Sequence, residues 1–389
     1  MSKLKFNRVG IAGAGAMGSG IAQVIATAGA HVFLYDISNA SLDKAEKSIA
    51  QSLEILLGKN KITEAEKKAI QGRITTGTSL DGFIDCNLIV EAALEEMKVK
   101  QDLFRSLEER VSPGCVLASN TSSISIASLS NGLTNPERMI GIHFFNPAVL
   151  MPLVEIIPSV LTRNGLAEEV FAEVKAWGKS PVIAKDTPGF IVNRVARPYY
   201  GESIRIYEEG IAGFYTIDHA MKTMGGFKMG PFELMDFIGN DVNYKVTESV
   251  WTQFFFEPRY KPSLTQKRYF EAGLYGRKSG RGYYNYQNPE PAAPDANPEL
   301  LGKIFDRVIT LLIHEAADTL FWGIAGKEDI DTAMMRGVNY PKGLLKWGDE
   351  IGWNVISHRM QGLYERYGED RYRLSPLVFE MAEQNKTFY

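Results

Sequence analysis

The sequence predicts an α/β N-terminal domain with an inserted helical arm, followed by two all-α domains. Three observations predict it. Apolar runs of strand length alternate with amphipathic stretches of helix length through about the first 185 residues. Beyond that point the alternation gives way to long mixed helical segments. Through this second half runs an ungapped internal repeat, at an offset of 113 residues.

Bulk properties bound the answer. A chain of 389 residues is too long for one ordinary core, so two or three domains are expected. Its 45% hydrophobic and 23% charged residues are those of a globular protein in water, and a net charge of -3 gives no reason to expect nucleic acid as a partner. The first six residues run straight into a strand, without a signal-peptide core, and no apolar run approaches membrane-spanning length, so no membrane partner is expected. Cys86 and Cys115 are not in a CxxC pair. They read as buried free thiols, with no disulfide framework, no zinc or other metal site, and a cytoplasmic setting.

The first strand, Val9-Gly10-Ile11-Ala12, ends in Gly13-Ala14-Gly15-Ala16-Met17-Gly18. A helix over 19–28 follows, closed by Gly29, and then a second strand over 31–35 ending in Asp36. Strand, glycine turn, helix, strand and acid form the full context of a Rossmann-type dinucleotide site. Gly13 permits the tight turn, Gly15 lets the backbone approach a pyrophosphate, and Gly18 lets the helix pack on the strand. Ala16 and Met17 complete the loop. The helix N-terminus offers free N–H groups to phosphates. Asp36 would accept hydrogen bonds from ribose hydroxyls and repel a 2′-phosphate, which favours NAD over NADP.

The arm comes next, as helical patterns over 39–57 and 63–72. It reads either as decoration or as a cover for the substrate, with Lys59 and Lys61 available to an anionic group. Strands follow at 88–90 and 116–118 with a helix over 97–110 between them, then at 139–143 and 153–157. The sheet is expected to continue to about residue 185.

Removing a hydride from an alcohol carbon requires a base for the hydroxyl proton, and histidine suits neutral pH. His31 begins a strand remote from the glycine loop; His219, His314 and His358 lie in helical regions without an evident acidic partner. His143 ends an apolar strand before Phe144-Phe145-Asn146-Pro147, and Glu155 stands in the next apolar strand, where a carboxylate is costly unless paired. A His143–Glu155 pair would fix the imidazole tautomer and stabilise an imidazolium; a purely structural ion pair is the alternative. Ser119-Asn120-Thr121-Ser122-Ser123, between a strand and a helix, reads equally as a helix cap or as a holder of the substrate hydroxyl.

Five segments occur together in family order: the glycine loop, Ser119–Ser123, His143-Phe144-Phe145-Asn146-Pro147, Asp186-Thr187-Pro188-Gly189-Phe190-Ile191-Val192-Asn193-Arg194, and Gly230-Pro231-Phe232-Glu233-Leu234-Met235-Asp236. With them the chain resembles the 3-hydroxyacyl-CoA dehydrogenases, including 3-hydroxybutyryl-CoA dehydrogenase, from residue 6 to about 286. The resemblance implies reversible, NAD-dependent oxidation of a (S)-3-hydroxyacyl-CoA to the 3-ketoacyl-CoA, a step of fatty acid β-oxidation, with the acyl-CoA in a cleft between two domains. It implies catalytic roles for His143 and Glu155, and contacts of Ser122 and Asn193 with the substrate's reacting oxygen and carbonyl. Glu95, Lys100, Asn146 and Lys278 match residues near the cofactor, and Ser52 and Lys59 align with coenzyme A contacts on the arm.

In the second half, Gly210-Ile211-Ala212-Gly213 recurs as Gly323-Ile324-Ala325-Gly326, and Gly230, Asp236, Ile238 and Gly239 recur as Gly343, Asp349, Ile351 and Gly352. Between the copies, residues 287–298 carry four prolines and read as an extended linker. The expected domains are therefore 1–185, 186–286 and 299–389. Shorter members of the family use one such helical domain to dimerise. The second copy is expected to replace part of that dimer interface, and a homodimer of the whole chain stays open. In place of the Asn193 segment it has Lys303-Ile304-Phe305-Asp306-Arg307, so no catalytic role is expected of it.

The expected substrate is short, such as 3-hydroxybutyryl-CoA. The alternatives are 3-hydroxyadipyl-CoA, since the tandem helical domains also resemble enzymes acting on it, or another hydroxy acid. A non-catalytic nucleotide-binding relative, and a subunit working beside a hydratase or thiolase, are the remaining readings.

Overall fold

The computed structural model describes residues 4–289 and 293–389; part of the predicted 287–298 linker lies outside them. Two compact units are present, Met1–Thr187 and Pro188–Tyr389.

In the first unit β1 (Arg8–Ala12), β2 (His31–Tyr35), β3 (Ile74–Gly77), β4 (Leu88–Glu91), β5 (Val116–Ser119), β6 (Met139–Phe144), β7 (Leu153–Ile157) and β8 (Ser180–Ile183) form one sheet. The strand order is β3-β2-β1-β4-β5-β6-β7-β8. All neighbours are parallel except β6 and β7, whose link over 145–152 is too short for a crossover. Every residue of β4 to β7 is buried, which is why these strands read as continuous apolar runs rather than alternating ones. The order reverses at β1, where β2 and β4 flank it, and the carboxyl ends of these strands form the crevice in which such sheets bind ligands.

Helix α1 (Ala16–Ala28) starts three residues before the predicted 19, directly on the glycine loop, and ends at Gly29 with φ 111°. The arm consists of α2 (Asn39–Gly58) and α3 (Glu64–Gly72). Ser38 caps α2, while Thr63 and Glu66 cap α3 reciprocally. α4 (Met97–Glu108) stops short of the predicted residue 110. α5 (Ile126–Ser130) and α6 (Leu166–Ala176) complete the unit. The edge strand β3 had no sequence expectation. Its four residues, Ile-Thr-Thr-Gly, none of them buried, carry one apolar side chain, and pairing with β2 rather than burial makes it a strand.

The second unit is helical: α7 (Val192–Val195), α8 (Arg197–Glu208), α9 (Phe214–Gly225), α10 (Pro231–Ile238), α11 (Asn240–Gln253) and α12 (Leu264–Glu271), then α13 (Pro298–Phe321), α14 (Lys327–Gly337), α15 (Leu344–Ile351), α16 (Trp353–Tyr367) and α17 (Pro376–Glu383). Residues 113 apart make the same bonds. Asp218 accepts from the Phe232 and Glu233 amides at 2.9 Å, capping α10; Asp331 accepts from Leu345 and Lys346 at 2.8 and 3.1 Å, capping α15. Glycine is required opposite each carboxylate, because a Cβ on Gly230 would stand 2.3 Å from Asp218 and one on Gly343 2.2 Å from Asp331.

α13 packs on α8 and α9. Across this contact Arg194 donates to Glu315 at 2.8 Å and to Asp318 at 3.0 Å, while Arg307 donates to Glu202 at 2.5 Å. Arg194 and Arg307 are 113 apart, and so are Glu202 and Glu315, so the two pairs are reciprocal. Tyr260 and Tyr372 donate to Glu315 and Glu202 at 2.5 and 2.8 Å. Phe227 meets Tyr340, its own counterpart, edge to face at 5.0 Å.

Candidate active site

The glycine loop has the backbone that its sequence demands. Gly13 sits at φ 115°, and a Cβ there would meet the Ala92 carbonyl oxygen at 2.5 Å. A Cβ on Gly18 would stand 1.8 Å from the Gly13 oxygen. Around Gly15 nothing lies within 4 Å of that position, so the loop leaves open the space into which a pyrophosphate must come. α1 begins at this point with no side-chain cap, which leaves its first N–H groups for an anion. Asp36, at the end of β2, accepts from the Ala14 amide at 2.9 Å and the Ser38 amide at 3.0 Å, tying the loop to the second strand. Met17 is half-buried and Ala16 exposed on the first turn. This cradle fits a dinucleotide.

At the carboxyl ends of β4 and β5 lies a charged network with a buried core and an exposed edge at Glu95. Lys100 Nζ contacts Glu91 at 2.5 Å and Glu95 at 3.1 Å; Lys100 and Glu91 are 1% and 0% exposed. Glu91 also accepts from Ser119 Oγ and the Ala93 amide, both at 2.6 Å. Glu95 accepts from Thr121 Oγ1 at 2.6 Å, Ser123 Oγ at 3.0 Å and the Ser122 amide at 3.1 Å. Burial pushes the Glu95 carboxyl up, but Lys100, Thr121 and Ser122 outweigh it and hold the group below its ordinary range. The Ser119–Ser123 run is thereby fixed from two sides, and Asn120 Oδ1 joins it to β6 by accepting the Phe144 amide at 2.8 Å.

His143 and Glu155 face each other in the antiparallel β6–β7 register, Nδ1 to Oε2 at 2.7 Å, both buried. Phe145 packs on the imidazole, with ring centroids 4.6 Å apart. The loop beyond is held by Lys179, whose Nζ donates to the carbonyls of Ala148 and Met151 at 2.5 and 2.9 Å; burial lowers this lysine to about 8.

The first unit thus gathers Gly13, Gly15, Gly18 and Asp36 in one cluster, and Glu95, Lys100 and Ser122 in another, beside the His143–Glu155 pair. Asn146 is exposed in the loop after β6. Ser52 is half-buried on α2 and Lys59 exposed at its C-terminal end, with no described bond to either cluster. Asn193, half-buried on α7, and Lys278, paired with Asp241 at 2.5 Å, stand in the second unit. His314 is excluded as a base: burial pushes it down to about 4, and Nε2 accepts the Ser375 amide at 2.8 Å. Glu315 and Asp318 act on it electrostatically, but its hydrogen-bond partner is this backbone amide. Sequence reasoning missed Glu91, Ser119 and Thr121 as a supporting network. The signal was there: Glu91 ends the apolar run Leu88-Ile89-Val90 just as Glu155 interrupts its own.

Comparison with known proteins agrees with this geometry. The family description "3-hydroxyacyl-CoA dehydrogenase, NAD binding domain" matches residues 8–187, and "3-hydroxyacyl-CoA dehydrogenase, C-terminal domain" matches 189–286 and 302–387. An Escherichia coli protein named 3-hydroxyadipyl-CoA dehydrogenase is 35% identical over 96% of this chain and 97% of its own. A Deinococcus radiodurans protein named probable 3-hydroxybutyryl-CoA dehydrogenase is 42% identical over 72% of this chain and all of its own. A crystal structure of 3-hydroxybutyryl-CoA dehydrogenase from Escherichia coli superposes with a TM-score of 0.94 at 34% identity, covering 98% of this chain and 99% of that one. The glycine cradle, the buried His–Glu pair and these matches across both units lead to one conclusion: the chain belongs to the 3-hydroxyacyl-CoA dehydrogenase family and is an NAD-dependent oxidoreductase of it.

Proposed function

We propose that His143 is the acid/base of this dehydrogenase and that its substrate is a short (S)-3-hydroxyacyl-CoA such as 3-hydroxybutyryl-CoA. The observation that carries this reading is the buried 2.7 Å contact between His143 Nδ1 and Glu155. With Nδ1 held by the carboxylate, proton transfer falls to Nε2. In the oxidative direction the substrate O–H bond breaks toward Nε2, the C3–H bond breaks as a hydride departs, and the C3–O double bond forms. Glu155 stabilises the imidazolium that results, and in reverse that imidazolium returns the proton. Bound NAD supplies the hydride acceptor. Gly13, Gly15, Ala16, Met17, Gly18 and Asp36 would hold its adenosine and pyrophosphate, and Glu95, Lys100, Asn146 and Lys278 would lie near it. Ser122 and Asn193 orient the reacting oxygen and the thioester carbonyl, while Ser52 and Lys59 contact coenzyme A from the arm. The contribution of these groups is placement and charge stabilisation.

A second reading of the substrate rests on one observation. The Escherichia coli relative that spans nearly the whole chain is named for 3-hydroxyadipyl-CoA, a dicarboxylic thioester. Measuring kcat/KM for 3-hydroxybutyryl-CoA, 3-hydroxyadipyl-CoA and free 3-hydroxybutyrate decides between them. The short-chain reading expects the first to exceed the second at least tenfold, with the free acid inert. A reversed order makes the dicarboxylic thioester the substrate, and turnover of the free acid contradicts acyl-CoA use.

We also infer that residues 186–286 and 299–389 are two copies of one domain, the second standing where a partner subunit's would. The reciprocal Arg194–Glu315 and Arg307–Glu202 pairs support this, since a two-fold interface joins residue i to j and j to i. Buried free thiols at Cys86 and Cys115 support a reducing compartment, which we take to be the cytoplasm. No helix among the described residues is long and apolar enough to cross a membrane.

A further inference from the structure

The two helical repeats differ at one seam. In the first, the chain covers it: a Cβ on Gly189 would come within 3.1 Å of Val250 Cγ2, Phe190 is buried, and Val250 is 3% exposed. At the offset of 113 the seam recurs between α13 and α16, with Leu363 for Val250 and Lys303 for Phe190. Here residues 298–304 do not fold over the seam but form the first turns of α13, a continuous helix where the first repeat has a loop, α7 and α8. Leu363 is left half-buried. A cavity of about 640 Å³ opens instead, with an apolar floor of Ile206, Ile211, Leu300, Ile304 and Leu363. That size and lining are those of a small-molecule site.

The rim of this groove is cationic. Lys303, Arg307, Arg359 and Arg366 border it against the single carboxylate of Asp306, which stands at the repeat position of Asn193. Two of the four cations are engaged elsewhere, Arg307 by Glu202 and Glu209 and Lys303 by Glu299. Arg359 gives Nη2 to Asp306 at 2.6 Å, but its Nη1 is shielded from water and has no hydrogen-bond partner. Arg366 lies over the Tyr367 ring and has no carboxylate within salt-bridge distance among the described residues. An anion in the groove beside Arg366 and Arg359 would meet two guanidinium groups, the first without a carboxylate of its own, in charge-assisted bonds.

We propose that this groove binds an amphipathic carboxylate, its apolar chain on the Ile304–Leu363 floor and its anion at Arg359 and Arg366. The groove shares no lining residue with those assigned to the dehydrogenase chemistry, and the proposal does not depend on the role given to His143. A free medium-chain acid and the ω-carboxylate of a dicarboxylic thioester share this chemistry.

Calorimetric titration of the full chain with octanoate tests it. The protein is first saturated with NAD+ and acetoacetyl-CoA, two oxidised reactants that fill the active site without turning over. One octanoate per chain is expected, with Kd below about 1 mM. Octanol and octylamine should bind at least tenfold more weakly, and Arg359→Gln and Arg366→Gln should weaken octanoate at least tenfold while acetoacetyl-CoA reduction is unchanged. Octanol binding as tightly as octanoate, octanoate binding that both variants leave unaltered, or no binding at all would overturn the proposal. Thermal melts of both variants guard against misfolding; should one melt early, the other carries the test with the same expectation. Competition of octanoate by the monothioester of octanedioic acid, but not by octanoyl-CoA, would identify the thioester carboxylate as the source that fits. Competition by neither leaves the free acid as the ligand.

Discussion

At the scale of single residues, the site depends on charges buried in pairs. Glu91 and Lys100 are almost wholly removed from water, and each is affordable only because of the other and the hydroxyls around them. Lys100→Met leaves the Glu91 carboxylate without its cation. The expected result is a loss of roughly 3–5 kcal/mol in urea unfolding, together with a rise in KM for NADH as the Glu95–Ser122 contacts loosen. Unchanged stability would contradict the pairing as the source of that stability. The same pairing rule made Glu155 legible in the sequence, because a carboxylate inside Leu153–Ile157 demands a partner and His143 is a suitable one. Applied to Glu91 it would have found Lys100, nine residues on. Lys179 gave no such signal, since its acceptors are backbone carbonyls and sequence says nothing of where those point.

At the scale of elements, helix ends are fixed by carboxylates arriving from a preceding helix. Asp218 and Asp331 each satisfy two amides at the start of α10 and α15. Replacing either by Ala strands two N–H groups in a buried place and should cost about 1–3 kcal/mol, read from urea denaturation. Equal losses at both positions are expected if the two repeats are built alike; a loss at one only would contradict that. Element boundaries were read well wherever a glycine, an N-cap or a long apolar run marked them, as at His31–Tyr35, Asn39–Gly58 and Leu153–Ile157. They were missed where tertiary pairing alone makes the element, as in β3, and at the glycine loop, where helical geometry starts at Ala16 before any apolar periodicity is visible.

At the scale of the whole molecule, the offset of 113 showed a repeat in the sequence, but not how its two segments meet. Arg194 and Glu315 are 121 residues apart with no pattern linking them, so only the fold brings them together. The contact of α13 with the preceding helices is rich in ion pairs, and these contribute to its response to acid. Burial pushes the Glu209 carboxyl up, yet bonds from Arg307, Tyr367 and Arg205 outweigh it and bring the group down to about 2. A carboxyl lowered on folding stabilises above its unfolded pKa of 4.5, and that contribution is lost as pH falls from about 4.5 toward 2. Melting temperatures over that range should drop less steeply in Glu209→Gln than in the parent, with the variant less stable at pH 7. Parallel curves would show that Glu209 does not contribute.

The central claim, that His143 moves the proton, is tested most directly by following NADH absorbance with acetoacetyl-CoA in the parent and in His143→Ala, with NADH affinity measured separately by fluorescence. The account predicts that kcat falls about 10²–10⁴-fold in the variant while NADH binds as before. Turnover that survives within a factor of about three would contradict it and return His143 and Glu155 to the status of a structural pair.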